Sequence, residues 1–244
     1  MANGLRSTVT QMHSYYKLLP TENVREDEET ILDVLTAAMN EGFSNGISLL
    51  NLYREVPINF KASVDNIEKG MVEMTVHQLQ AAVMNIQKET IIRGSQFKHD
   101  VVAKVTRSDP DNGFAMLAHF SYVQMLADRR AHVRVTVSDQ IEVTFRADQL
   151  LVQGRLQDIS VGGMAINAPE KPEVKENKKG EISVSLHGSR LQIQAILLRI
   201  ADACPEKVYA FMFTPDSRND MIISQFVFQT QSEVIRELKD KISL

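Results

Sequence analysis

The chain has 244 residues, 43% hydrophobic and 24% charged, which allows one large domain or two ordinary ones with proper cores and excludes a disordered composition. A net charge of −4 gives no global basic field for a polyanion such as DNA, so an anionic ligand has to be held by a local arginine cluster. The only cysteine, Cys204, excludes an intramolecular disulfide and a zinc site built from several cysteines. No run approaches the roughly 18 apolar residues that a membrane span requires. The opening stretch lacks the apolar core of a secretory signal, so the expected location is cytoplasmic.

Residues 1–25 are polar and without a clear period, and are read as a partly disordered lead. Residues 26–41 predict a helix: Ile31, Leu32, Val34, Leu35, Ala38 and Met39 recur at helical spacing, acidic residues crowd the first turn, and Gly42 closes the end. From residue 46 to about 123 the pattern changes to short strand-like runs, namely ISLLNLYR, INFKASVD, MVEMTVH, HDVVAKVTR and FAMLAHFSYV. Glu68-Lys69-Gly70 and the longer stretch from Ser108 to Gly113 separate them as turns. Residues 79–92 fit either a strand pair or a short helix. Short strands joined by turns suggest a small barrel.

A charge-dense junction follows, from Ala127 through Asp128, Arg129, Arg130, Ala131, His132 and Val133 to Arg134. Strand patterns then resume as VRVTV, IEVTFRA, LLVQGRLQDIS, GMAINA, EISVSLH, LQIQAILLRIA and VYAFMFT, with a polar, proline-containing loop over residues 169–180. An apolar stripe including Ile222, Ile223, Phe226, Val227, Val234, Ile235 and Leu238 predicts a closing helix over residues 220–241. The expected organisation is therefore a lead at 1–25, a helix plus β-rich domain at 26–126, and a second β-rich domain with its own helix at 127–244.

Two features stand apart. Arg130 and Arg134 are four residues apart, with Arg129 beside them; Asp158-Ile159-Ser160-Val161-Gly162-Gly163 runs a strand end into a glycine turn. An arginine fork matches the O6/N7 edge of guanine, lies flat on a base face, and also holds phosphate. The Asp158 carboxylate suits guanine's N–H donors, and the Ser160 hydroxyl both donates and accepts. Gly162 and Gly163 permit positive φ and close backbone approach. Taken singly, each has an ordinary structural explanation: paired arginines in a solvated linker, and a side-chain-stabilised β-turn.

In this order and spacing, Arg130-A-H-V-Arg134 before a strand and Asp158-I-Ser160-V-G-Gly163 at a later strand end resemble the PilZ family of cyclic di-GMP receptors. The resemblance extends from Asp128 to the C-terminus, with Ala210 where many relatives carry glycine. It implies a C-terminal β-barrel in which Arg129, Arg130 and Arg134 grip the ligand's guanines and phosphates. Asp158 and Ser160 would bond a guanine edge, with Gly162 and Gly163 keeping the turn open. The N-terminal region is similar, by order and pattern alone, to the split barrel of flagellar-brake proteins. This implies a mainly β protein of two small barrels whose arrangement changes with ligand. A protein partner such as a flagellar motor component is implied, and no nucleic acid, metal or membrane insertion.

Three other readings stay open at this stage. No paired carboxylates, nucleophile elbow, zinc-protease motif, P-loop or dinucleotide fingerprint is present, and the six histidines (His13, His77, His99, His119, His132 and His187) lack metal-ligand spacing, so an enzyme is not expected. An OB-like nucleic-acid binder is disfavoured by 6% aromatic content and no Trp. A ligand-independent PilZ-like interaction module is the remaining alternative.

Overall fold

The computed structural model describes residues 15–19, 23–41, 46–126, 132–171 and 174–242. It is mainly β and divides into two compact units, Met1–Arg130 with Ile235–Leu244, and Ala131–Val234. Among the described residues no helix is long and apolar enough to cross a membrane, and no cluster of His, Cys, Asp and Glu could hold a metal ion.

The first unit is an antiparallel sheet that curls into an open half-barrel. Its strands are β1 (Tyr16–Leu18), β2 (Ser48–Tyr53), β3 (Val56–Lys61), β4 (Ser63–Glu68), β5 (Met71–Thr75), β6 (Glu89–Arg93), β7 (Asp100–Asp109) and β8 (Phe114–Met125). The order is β3-β2-β6-β7-β8-β5-β4, with β1 on β8. Helix α1 (Val24–Glu41) starts where Asn23 accepts from the Arg25 amide at 3.1 Å. Glu26 and Asp27 face its positive end, and the expected helix is present. Its buried residues Ile31, Leu35 and Ala38 join Leu49, Met74, Ile92, Leu117 and Phe120 in one core. The expected helix stop at Gly42 lies outside the described residues.

The undecided stretch at 79–92 is a helix followed by a strand. Helix α2 (Gln78–Gln87) is capped by His77, whose Nδ1 accepts from the Leu79 amide at 3.1 Å, and ends at Lys88 with φ of 60° before β6 begins. INFKASVD is split between β3 and β4, which pair with β2 and β5 respectively. A short strand, β1, stands within the polar lead, and its Tyr16 is buried beside Val102 and Met125.

The second unit is a closed barrel. Its strands are β9 (Val135–Thr136), β10 (Glu142–Ala147), β11 (Leu150–Ser160), β12 (Gly163–Ala168), β13 (Lys179–Leu186), β14 (Ser189–Ala203) and β15 (Glu206–Phe213). Six of them form a ring, β10-β13-β14-β15-β12-β11, closed by pairing of β10 with β11, and β9 lies on β11. The interior is filled by alternate side chains such as Phe145, Val152, Leu156, Ile166, Ile182, Leu197 and Phe211, all buried. Helix α3 (Ser217–Ile242) follows, with Ile223, Phe226, Val227 and Val234 buried. Phe226 meets the His187 ring at a centroid distance of 4.8 Å.

Candidate ligand-binding site

A barrel packed with side chains has no room for a ligand inside, which leaves its outer wall, its turns and its ends as the places a small molecule can reach. Which residues reach that wall follows from the register. In β11, Val152, Gly154 and Leu156 are buried at every second position, and strict alternation would turn Asp158 inward as well. The register shifts between Leu156 and Asp158, where Gln157 is the extra residue of a β-bulge. After the bulge Ile159 is fully buried, while Asp158 stands opposite Ala165 and Ser160 opposite Gly163. The bulge therefore places the aspartate and the serine together on the outer wall.

Arg134, just before β9, comes to the same place. Its Nη1 lies 3.6 Å from Asp158 Oδ1, because β9 pairs with β11 at Thr136↔Asp158. The arginine side chain is 39% exposed and the aspartate 13%. At that distance and exposure the pair is weak, about 0–1 kcal/mol, and much of the guanidinium fork remains open to solvent. The Ser160 hydroxyl donates to the Gly163 carbonyl at 3.2 Å across the turn and is buried.

The two glycines serve differently from the sequence expectation. Neither has a positive φ; what each provides is space. A Cβ on Gly163 would lie 2.2 Å from the carbonyl oxygen of Phe211, so only glycine lets β12 approach β15 here. A Cβ on Gly162 would lie 2.8 Å from Cδ2 of His132, whose ring rests against this turn. The Gly162 carbonyl accepts from the Phe213 amide at 3.0 Å, tying the turn to β15.

The structure thus brings together Arg134, Asp158, Ser160, Gly162 and Gly163. Arg129 and Arg130 lie outside the described residues. Two residues that sequence reasoning did not single out share the outer wall, Ala165 beside Asp158 and Met212, 43% exposed, paired with Gly163; Ala210, noted in the sequence where many relatives carry glycine, pairs with Ala165. The signal that finds them is the cross-strand register, which a single sequence does not display. Chemically, the cluster combines a planar cation, a carboxylate acceptor and a hydroxyl beside residues with almost no side chain. That suits a flat, hydrogen-bonding, anionic molecule.

The second unit is a closed, filled six-stranded barrel with this polar cluster on its outer wall. Residues 128–229 match the PilZ domain, and this part of the chain is a PilZ domain. No curated protein sequence matches the chain significantly. Among solved structures, YcgR from Escherichia coli in complex with c-di-GMP is 17% identical, with 94% of this chain and 98% of that chain covered and a TM-score of 0.44. MrkH of K. pneumonia in complex with c-di-GMP is 10% identical over 91% of this chain and 99% of that one, with a TM-score of 0.44. The Bacillus subtilis inhibitor of motility, MotI/DgrA, is 12% identical over 78% and 96%, with a TM-score of 0.41.

Proposed function

We propose that this chain is a cyclic di-GMP receptor that regulates motility or a related envelope process. The observation that carries the reading is the placement of Arg134, Asp158 and Ser160 together on the outer wall of a PilZ domain, around glycines that admit no side chain. In this account Asp158 and Ser160 hydrogen-bond one guanine edge of the ligand. Arg134, joined by Arg130 and Arg129, grips phosphate and base faces. Gly162 and Gly163 keep the wall low enough for close approach.

The output is regulatory and not catalytic. Residues 26–126 act as a flagellar-brake-like domain and 127–244 as the ligand-reading domain, with the arginines in the joining segment. A ligand that binds those arginines and the barrel wall together favours one arrangement of the domains, in proportion to its difference in affinity for the alternatives. The rearranged surface then meets a protein partner, such as a flagellar motor component, from the cytoplasm.

Calorimetric titration of cyclic di-GMP into the purified chain, beside Arg134→Ala, tests the proposal. Loss of a charge-assisted contact should weaken binding by about tenfold to a hundredfold, equivalent to about 1–3 kcal/mol. The ligand should be recovered intact after prolonged incubation. Absence of binding by the unaltered chain refutes the receptor reading, and turnover of the ligand refutes its non-catalytic part.

A further inference from the structure

The polar loop between β12 and β13 is balanced in charge along the sequence, with Glu170, Glu173 and Glu176 interleaved with Lys171, Lys175 and Lys178. The fold draws Glu170 and Glu176 away from those lysines. Glu170 pairs with Lys207 at 3.3 Å, and Glu176 accepts from the Ile200 amide at 3.2 Å. Lys171, Lys175 and Lys178 instead line a recess of about 650 Å³ against the turn between β10 and β11, together with Leu150 and Leu151. Lys178 is compensated by Asp148 at 2.5 Å. Lys171 and Lys175 are exposed and make no ion pair among the described residues.

The frame that carries these lysines is pinned to the barrel. The buried Tyr209 hydroxyl accepts from the Lys171 amide at 2.9 Å and donates to the Pro169 carbonyl at 3.1 Å. Val174 is buried, the Asn177 amide donates to the Leu197 carbonyl at 2.6 Å, and the Lys178 carbonyl accepts from the Leu197 amide at 2.9 Å. Every one of these anchors is a backbone or apolar group, so the ammonium groups of Lys171 and Lys175 stay available. Cations gathered in one recess repel each other, and a bound polyanion removes that repulsion. A frame already fixed also loses less freedom when a partner docks.

We propose that this recess docks an acidic segment of a partner protein, with an apolar side chain on Leu150 and Leu151 and flanking carboxylates at Lys171 and Lys175. Lysine offers a compact point charge on a flexible stem, which suits carboxylates spaced along a peptide. Leu151 is 39% exposed among these cations, a feature that an inorganic anion does not use. A lipid surface calls for apolar groups that project, whereas these leucines line a recess. The recess lies at the start of β11 and Ser160 at its other end, roughly 30 Å along the strand, so the proposal is independent of the cyclic di-GMP reading.

Fluorescence anisotropy of the full chain at low salt tests it, with a fluorescein-labelled peptide carrying glutamates on both sides of a single leucine. Expected is saturable binding that weakens about tenfold or more in the double variant Lys171→Glu/Lys175→Glu. The same double reversal at Lys61 and Lys104, exposed lysines of the first unit, should leave binding within about twofold. Alanine in place of the peptide's leucine should weaken binding about threefold to tenfold, and glutamines in place of its glutamates should abolish it. No saturable binding by the unaltered chain overturns the proposal, as does equal binding of the glutamine peptide. Displacement by equimolar inorganic phosphate reveals a simple anion site and overturns it too. Binding to phosphatidylserine vesicles in place of the peptide has the same effect. A chain that takes the peptide but not cyclic di-GMP loses the receptor reading and keeps this one.

Discussion

Gly162 and Gly163 are adjacent in sequence, yet alanine at the two positions should have very different consequences. At Gly163 the new Cβ would meet the Phe211 carbonyl oxygen at 2.2 Å. An ordinary carbon–oxygen contact is about 3.3 Å or longer, so β12 and β15 would have to part by about 1 Å at a point where they are paired. Such an opening weakens ladder hydrogen bonds worth about 1 kcal/mol each and adds overpacking strain of about 1–3 kcal/mol. A total of about 2–5 kcal/mol is a large part of the stability of a domain this size. At Gly162 the obstacle is the His132 ring at 2.8 Å, an exposed side chain that is able to turn away. The expected cost there is under about 1 kcal/mol, as for other exposed substitutions. Urea denaturation of the full chain, followed by circular dichroism, measures both. Equal stability losses, or a Gly163→Ala loss below about 0.5 kcal/mol, would refute the steric argument.

Three further outcomes follow from the same geometry. Arg134→Ala should change the unfolding free energy by less than about 1 kcal/mol, because its Nη1 stands 3.6 Å from Asp158 and the arginine side chain is itself 39% exposed, so a binding loss in this variant reports ligand contact and not misfolding. Asn51 is fully buried, accepts from the Thr90 hydroxyl at 2.8 Å, and donates to Gln87 Oε1 at 2.8 Å and the Glu89 carbonyl at 2.7 Å; Asn51→Leu should cost about 2–4 kcal/mol in urea denaturation by orphaning those partners. Burial, reinforced by the nearby Glu89 charge, raises the pKa of Tyr16, whose hydroxyl donates to Glu89 Oε2 at 3.1 Å. The unfolded tyrosine ionises near pH 10 while the folded one stays neutral, so this contribution is complete below about pH 10 and is lost as pH rises further. Denaturation at about pH 8 and about pH 10.5 should therefore show a smaller alkaline loss in Tyr16→Phe than in the unaltered chain.

Much of the architecture was legible because alternation survives wherever one sheet face is buried. LLVQGRLQDIS and GMAINA correspond residue for residue to β11 and β12. Period-2 patterning says nothing about partners, and this is why INFKASVD reads as one run although the chain passes from β3, paired with β2, to β4, paired with β5. The helix-to-strand junction after α2 was hidden because Lys88, not glycine, takes the left-handed conformation there. β1 was missed because three residues are too few to show a period.

At the site, the chemical types of Arg134, Asp158 and Ser160 were visible, but the devices that aim them were not. Gln157 looks like an ordinary strand residue, and only the shifted pairing identifies it as a bulge. The glycines likewise pointed to backbone conformation, whereas the constraint on Gly163 comes from Phe211, far away in sequence.

The central claim, that cyclic di-GMP binds the outer wall at Asp158 and Ser160, is most directly tested by backbone amide NMR of the isotope-labelled full chain during titration with the ligand. The account predicts the largest shifts along residues 158–165 and at Ala210 and Met212, with little change in the filled interior at Phe145 or Ile182. Binding that moves other surfaces and leaves residues 158–165 unshifted would contradict it.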